Sequence, residues 1–197
     1  DGQALQSGTS HNLGDHFTKA FDIKYLDKDN KEKYAFSTSW GASTRLIGGL
    51  IMVHGDDKGL KLPPMIAPVQ AVIIPIAMHK DGVVEAATKL YDKLKEEFRV
   101  ELDASDLYSP GWKFNQYEMK GVPVRIEIGP KDIEKGQCVF VRRDTEEKIT
   151  VALEEVNEKL KDILEQIQKN MYESALKMRE EKTSTVHSME EFMAKLE

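Results

Sequence analysis

The apolar residues of TRLIGGLIMVHG fall at Leu46, Ile47, Leu50 and Ile51, the i, i+1, i+4, i+5 spacing of one helix face. Gly48 and Gly49 interrupt that helix at about 1 kcal/mol each in propensity, which predicts close backbone packing against a neighbour, and Gly55 predicts its stop. Upstream, FDIKYL and KYAFS alternate apolar and polar residues around the turn-rich DKDNKE and predict a hairpin, with AFSTSWG as a strand. The first sixty residues therefore read as antiparallel strands followed by a helix.

Beyond GDDKGLKLPP, a linker by composition, the period changes near residue 60. AVIIPI is a continuous apolar run of the kind buried on both faces of a sheet. DGVVEAATKLYDKLKEEF gathers Val84, Ala87, Leu90, Tyr91, Leu94 and Phe98 on one helical side. VELDAS is a second strand, GWKFNQYEMKG a short helix ended by Gly121, and VPVRIEIG and QCVFVRR two further strands. Strands alternating with helices predict an α/β sheet with some parallel pairing. The remainder reads as helical: Leu153, Val156, Leu160, Ile163, Leu164, Ile167, Met171, Ala175 and Met178 trace one stripe, and its charged flanks read as a solvated face. Ser188 to Glu191 fits a capping box opening a last helix that is cut off at Glu197.

Composition narrows the class. The 197 residues are 40% hydrophobic and 31% charged, as in a globular protein with ample length for a core. LIGGLIMV is too short to span a bilayer, and MIAPVQAVIIPIAM carries two prolines and a glutamine, so neither predicts a membrane span. No basic stretch leads into an apolar one at the start. Asp1-Gly2-Gln3 does not read as a natural beginning, and the chain is expected to be part of something longer. The single cysteine, Cys138, excludes an internal disulfide, fits a reducing compartment and sits in the apolar CVFV as a structural thiol. A net charge of −6 argues against a generally basic surface but leaves room for a local nucleic-acid site.

The chemistry concentrates in GTSHNLGDHF, Gly8 to Phe17. Ser10 and His11 resemble a nucleophile and its base, but adjacent strand residues point to opposite faces and cannot pair. His11, Asp15 and His16 lack any metal-binding frame such as HExxH or CxxC. No G-x-x-x-x-G-K-[ST] occurs either. SWGASTR places Ser43, Thr44 and Arg45 at a helix start, which is a weak phosphate signal or simply a cap with a solvated arginine.

Taken together, GTSHNLG, STSWGASTRLIGGLIMVHGD, LPPMIAPVQAVIIPI and GWKFNQYEMKGVPVRIEIGPKD resemble the prolyl-tRNA synthetase family, in its eukaryotic/archaeal-like type, which some bacteria also carry. The resemblance runs in order along almost the whole chain. It implies an α/β (α+β overall) fold. Residues 1–62 would end a class II antiparallel-sheet catalytic domain, and residues 63–150 would form an anticodon-binding domain with a mixed sheet. Residues 151–197 would open a helical C-terminal region. SWGASTR then resembles class II motif 3. The resemblance assigns Gln6, Thr9, Ser43 and Arg45 to ATP, with Gln6 near Mg²⁺ and Arg45 on the adenine ring and γ-phosphate. His11 falls in the proline pocket. Trp40 either walls that pocket or packs structurally. In such an enzyme the proline carboxylate attacks the α-phosphate, pyrophosphate leaves and proline passes to the tRNA 3′ end, so positioning and electrostatics replace a protein nucleophile.

In the same way Phe114, Glu118, Arg125 and Lys131 match the positions that read the two guanines of the proline anticodon. Aromatic stacking with edge hydrogen bonds suits unpaired bases, although Phe114 read alone is a core residue. With Lys113 and Lys120 added, the segment Gly111 to Lys131 is expected to be locally positive. The expected partners are tRNA(Pro) and proline, the compartment is the cytoplasm, and a homodimer would form through parts not in this chain. His16 replaces the family's usual Asn, and motifs 1 and 2 are not in this chain, so it is expected to be unable to make prolyl-adenylate alone. The rival readings are a non-catalytic tRNA-binding module, or a threonyl or histidyl relative.

Overall fold

The alternating residues of TSHNLG form β1 (Thr9–Gly14), the first strand of a computed structural model that describes residues 4–196. Residues 1–3, whose make-up reads as no natural beginning, and residue 197 lie outside the described residues. The chain divides after Met52 into two compact units.

In the first unit, α1 (His16–Ala20) follows β1, and β2 (Lys24–Leu26) pairs antiparallel with β3 (Glu32–Tyr34) as the predicted hairpin. β4 (Ser37–Gly41) returns antiparallel along β1, with a register shift between Asn12 and Gly14, and α2 (Arg45–His54) follows. Thr18, the one buried residue here among those described, ties α1 to the loop before β4 by donating to the carbonyl oxygens of Ala35 (2.7 Å) and Asp15 (3.0 Å). The backbone neighbour expected for the α2 glycines is not found. A side chain added at Gly48 meets open space, and one at Gly49 meets the side chain of Leu5.

In the second unit the buried run AVIIP is β5 (Ala71–Pro75), the central member of a parallel trio. α3 (Val83–Leu94) carries the chain to β6 (Val100–Leu102), and α4 (Pro110–Met119) carries it back to β7 (Val124–Ile128). The short α5 (Pro130–Glu134) leads to β8 (Gln137–Arg142), which forms a hairpin with β9 (Lys148–Ala152). The order is β6-β5-β7-β8-β9, parallel through β7 and antiparallel beyond it, so the sheet is mixed as expected. α3 and α6 (Val156–Glu181) contribute to the larger core, with Ala71, Ile73, Val124 and Ile126. Tyr117 of α4 joins Val72, Ile74 and Val122 in a second cluster. These alternate β5 residues show α4 on the face opposite α3 and α6. Cys138 is fully buried in the larger core, and burial pushes its thiol up to about 12. α7 (Met189–Leu196) starts where Ser188 accepts from the Glu191 N–H at 3.1 Å.

Three sequence readings change. KITVA is a strand rather than the lead-in to a helix. Its five residues are too few to stand out beside the long stripe that follows. That stripe is buried only as far as Met171, and Met178 is exposed. The composition-defined linker belongs to the second unit: Leu60 and Leu62 donate backbone hydrogen bonds to the carbonyls of Met119 (3.0 Å) and Gly121 (3.2 Å). No helix among the described residues is long and apolar enough to cross a membrane.

Candidate functional site

In the first unit, strand alternation turns Thr9 and His11 to one face and Ser10 to the other. Ser10 and His11 therefore do not face each other. Thr9 opposes Gly41 and His11 opposes Ser39 across the ladder. Gln6 links strand to helix: its amide nitrogen donates to Thr9 Oγ1 at 2.9 Å, and its carbonyl oxygen accepts from Arg45 Nη1 at 3.1 Å. Ser43 Oγ accepts from the Arg45 backbone N–H at 3.3 Å, in the turn before α2. An open cleft of about 400 Å³ is bordered by Gln6, Thr9, His11, Trp40, Ser43 and Arg45. The structure thus gathers all six residues expected around ATP and proline. Trp40 differs in orientation. It pairs with Ser10, so its side chain leaves on the face away from His11, and it is 82% exposed.

The donor set of this cleft can be tested against a nucleotide and a metal. One guanidinium and the hydroxyl residues Ser7, Thr9, Ser39 and Ser43 beside a helix start suit phosphate oxygens. Among the described residues no carboxylate lines the cleft, and the Gln6 carbonyl oxygen already accepts from Arg45. Magnesium would consequently depend on phosphate oxygens for most of its ligands.

In the second unit, Arg125 lies on β7 with the neighbouring Val72 and Val141 across its two ladders. Its guanidinium carbon sits 4.1 Å from the Phe114 ring centroid. Nη1 donates to Glu118 Oε1 at 2.8 Å, and Nε donates to Glu127 Oε1 at 3.0 Å. Arg125 is 8% exposed. Phe114 is half-buried and packs against the Tyr117 cluster, so it serves both the core and the site. The arrangement presents an aromatic ring, a planar cation and two oriented carboxylates at one surface. Lys131 is not part of this cluster. It is exposed at the start of α5, roughly 10 Å of strand beyond Arg125.

Pairing reduces the expected local positive charge. Lys113 is 1% exposed, and its ammonium pairs with the Asp103 carboxylate at 3.0 Å. Arg125 is matched by two glutamates. A count from Gly111 to Lys131 includes Glu118 and Glu127 but misses Asp103, which lies just past β6. Glu127 is the site member that residue-by-residue reading left aside. Its i+2 spacing from Arg125 in a strand is the signal that puts both on one face. Nearby, burial and a hydrogen bond to Glu101 push the Tyr117 hydroxyl upward, so it stays protonated as a donor.

Residues 70–163 match the family described as the anticodon binding domain. Over its whole length the chain is 57% identical to a proline–tRNA ligase of Alkaliphilus oremlandii, of which it covers 41%. It is 59% identical over 98% of its length to that of Ruminiclostridium cellulolyticum, covering 40%, and 60% identical over 98% to that of Agathobacter rectalis, covering 40%. The chain spans about two-fifths of the length of these relatives. The finer expectation of a eukaryotic/archaeal-like type is not borne out, since the relatives' names specify proline–tRNA ligase and no type. Over its whole length the chain is thus similar to a segment of these proline–tRNA ligases, with the anticodon binding domain match at residues 70–163.

Proposed function

We propose that this chain supplies the anticodon-reading domain and part of the ATP and proline pocket of a proline–tRNA ligase acting in the cytoplasm on tRNA(Pro). The observation that carries the reading is Arg125, stacked on Phe114 and held by Glu118 and Glu127 within residues that match an anticodon binding domain. An unpaired guanine can stack on such an aromatic surface. Its N1–H and N2–H₂ donors suit a carboxylate, and its O6 and N7 acceptors suit a guanidinium. The ion pairs hold these groups in place beforehand, which lowers the ordering cost of binding. Lys131, apart from the cluster, is assigned to the phosphate backbone or to a second base.

In the first unit, Arg45, Thr9 and Ser43 would grip the triphosphate and adenine of ATP, with Gln6 setting the direction of the guanidinium. His11 would face the proline side of the cleft, and Trp40 would border it. Mg²⁺, held chiefly by ATP, would neutralise phosphate charge. The homodimer would be formed by segments of the relatives that this chain does not span.

The test is binding of the 197-residue chain to a hairpin RNA carrying the proline anticodon loop. Arg125→Ala is expected to weaken binding roughly tenfold or more. Inosine in place of each anticodon guanine removes the N2 amine, and the penalty it causes should vanish in Glu118→Ala. Equal affinity for a loop with both guanines changed to adenine would overturn the assignment.

A further inference from the structure

On the outer side of α4 two aromatic rings lie stacked at the surface. Tyr108 and Trp112 have ring centroids 3.8 Å apart and planes 14° apart, yet they are 49% and 44% exposed. Neither belongs to the two core clusters, so packing of the interior does not account for the pair. Trp112 stands about 100° round the helix from the fully buried Lys113.

The backbone that carries the rings is anchored on both sides of the pair. The Lys113 ammonium donates to the backbone carbonyls of Asp103 (2.9 Å) and Ser105 (2.6 Å) as well as pairing with the Asp103 carboxylate. A buried cation with three acceptors thereby sets the start of the loop that delivers Tyr108. Ser109 then caps α4 by accepting from the Trp112 N–H at 3.4 Å. Burying an ammonium costs several kcal/mol unless its partners are well placed, and here the result is a surface loop held in register with a surface helix.

Beside Trp112 opens a cleft of about 530 Å³ lined by Lys58, Asn115, Gln116, Glu118 and Met119. Asn115 and Gln116 bring two carboxamides, each able to donate and accept. Glu118 borders this cleft and also hydrogen-bonds Arg125, so the two surfaces are continuous. We propose that the Tyr108–Trp112 pair is a stacking platform for a third unpaired nucleotide of the RNA loop, next to the guanines assigned to Phe114 and Arg125. The proposal rests on the anticodon reading of that neighbouring site. A base laid on Trp112 extends a stack of two rings whose alignment is already set. The carboxamides match donors and acceptors on any base edge, so this position contributes affinity more than base identity.

The experiment uses the 197-residue chain and the same hairpin RNA, with 2-aminopurine placed in turn at each loop position outside the two guanines. One position is expected to be quenched on binding. Trp112→Ala should abolish that quench and lower affinity roughly tenfold or more, while Trp112→Phe retains most of both. If Trp112→Ala fails to fold, Tyr108→Ala, which removes only the loop ring, is expected to lower affinity severalfold, and no change there overturns the platform. Guanine-dependent binding that is indifferent to Trp112→Ala overturns the platform and leaves the anticodon reading standing. No binding of the hairpin by the unmodified chain removes both. Unchanged RNA affinity together with loss of self-association in Trp112→Ala would assign the rings to a second copy of the chain instead, and so overturn the RNA platform.

Discussion

Arg143 is 5% exposed, and its guanidinium donates to both carboxylate oxygens of Asp56, at 2.9 Å and 2.6 Å. Its Nε donates to the Glu118 carbonyl at 3.0 Å, and Lys61 reaches Asp56 at 2.9 Å. The Arg143 hydrogen bonds hold the Asp56 carboxyl well below the usual carboxylate range, against the opposing effect of burial, with Lys61 adding to the depression. A depressed folded-state value means the carboxylate stabilises the fold above its unfolded value near 3.8 and loses that contribution as pH falls further. Asp56→Asn should therefore lower stability by about 2 kcal/mol at neutral pH, less than for a fully buried pair because Asp56 is partly exposed. Urea denaturation at pH 7 and at pH 3 checks this, and the gap to the unmodified chain should narrow at the lower pH. Nothing in GDDKG announces such a residue, because its partner, Arg143, is far along the chain, just past the end of β8. Motif resemblance singles out Gln6, Thr9, Ser43, Arg45, Phe114, Glu118 and Arg125, which the structure brings into two clusters. Their hydrogen bonds to one another, and the loss of Lys113 to the interior, were not legible in the sequence.

At the scale of elements, α4 ends in a left-handed residue that its neighbours require. Gly121 has φ +74, its N–H bonds to the Glu118 carbonyl (3.0 Å), and the Val122 N–H bonds to that of Tyr117 (3.1 Å), the paired closure of a Schellman motif. A side chain at Gly121 would lie 2.7 Å from the backbone of Leu60. Gly121→Ala combines left-handed strain with a backbone clash, and a loss of about 2–4 kcal/mol is expected in equilibrium denaturation. The helix stop itself was readable from a glycine after an apolar-periodic segment. The close approach of residues 59–62 was not, since only the folded chain brings them to α4. β5 was readable because a strand covered on both faces is apolar throughout, and all five of its residues are buried. β9 lacks that signature: its burial alternates unevenly, and only Val151 is fully covered. α6 shows the limit of periodicity, which registers an apolar stripe but not where the sheet beneath it ends.

For the molecule as a whole, the two units differ in how they treat apolar residues. Every buried hydrophobic residue among those described belongs to the second unit, whereas Phe21, Phe36 and Trp40 of the first are 71%, 78% and 82% exposed. α2 shows the same feature: it is amphipathic by sequence, yet Leu46, Ile47 and Ile51 are uncovered. The chain spans about two-fifths of its relatives, and the order of motifs along it already carries the resemblance to them. Net charge alone was a poor guide at this scale. An acidic chain can still present oriented donors at one surface, because pairing and burial decide which charges face outward.

The lacing of residues 56–62 onto α4 also decides where this chain can be severed. A piece begun at residue 63, as composition would place the boundary, leaves Arg143 buried with no counter-ion and strips two backbone hydrogen bonds from the end of α4. A piece begun at residue 53 keeps all of them. The shorter piece is expected to melt roughly 5–10 °C below the longer one in a thermal scan. The natural seam of the second unit thus lies well ahead of its first strand, at the C-terminal end of α2.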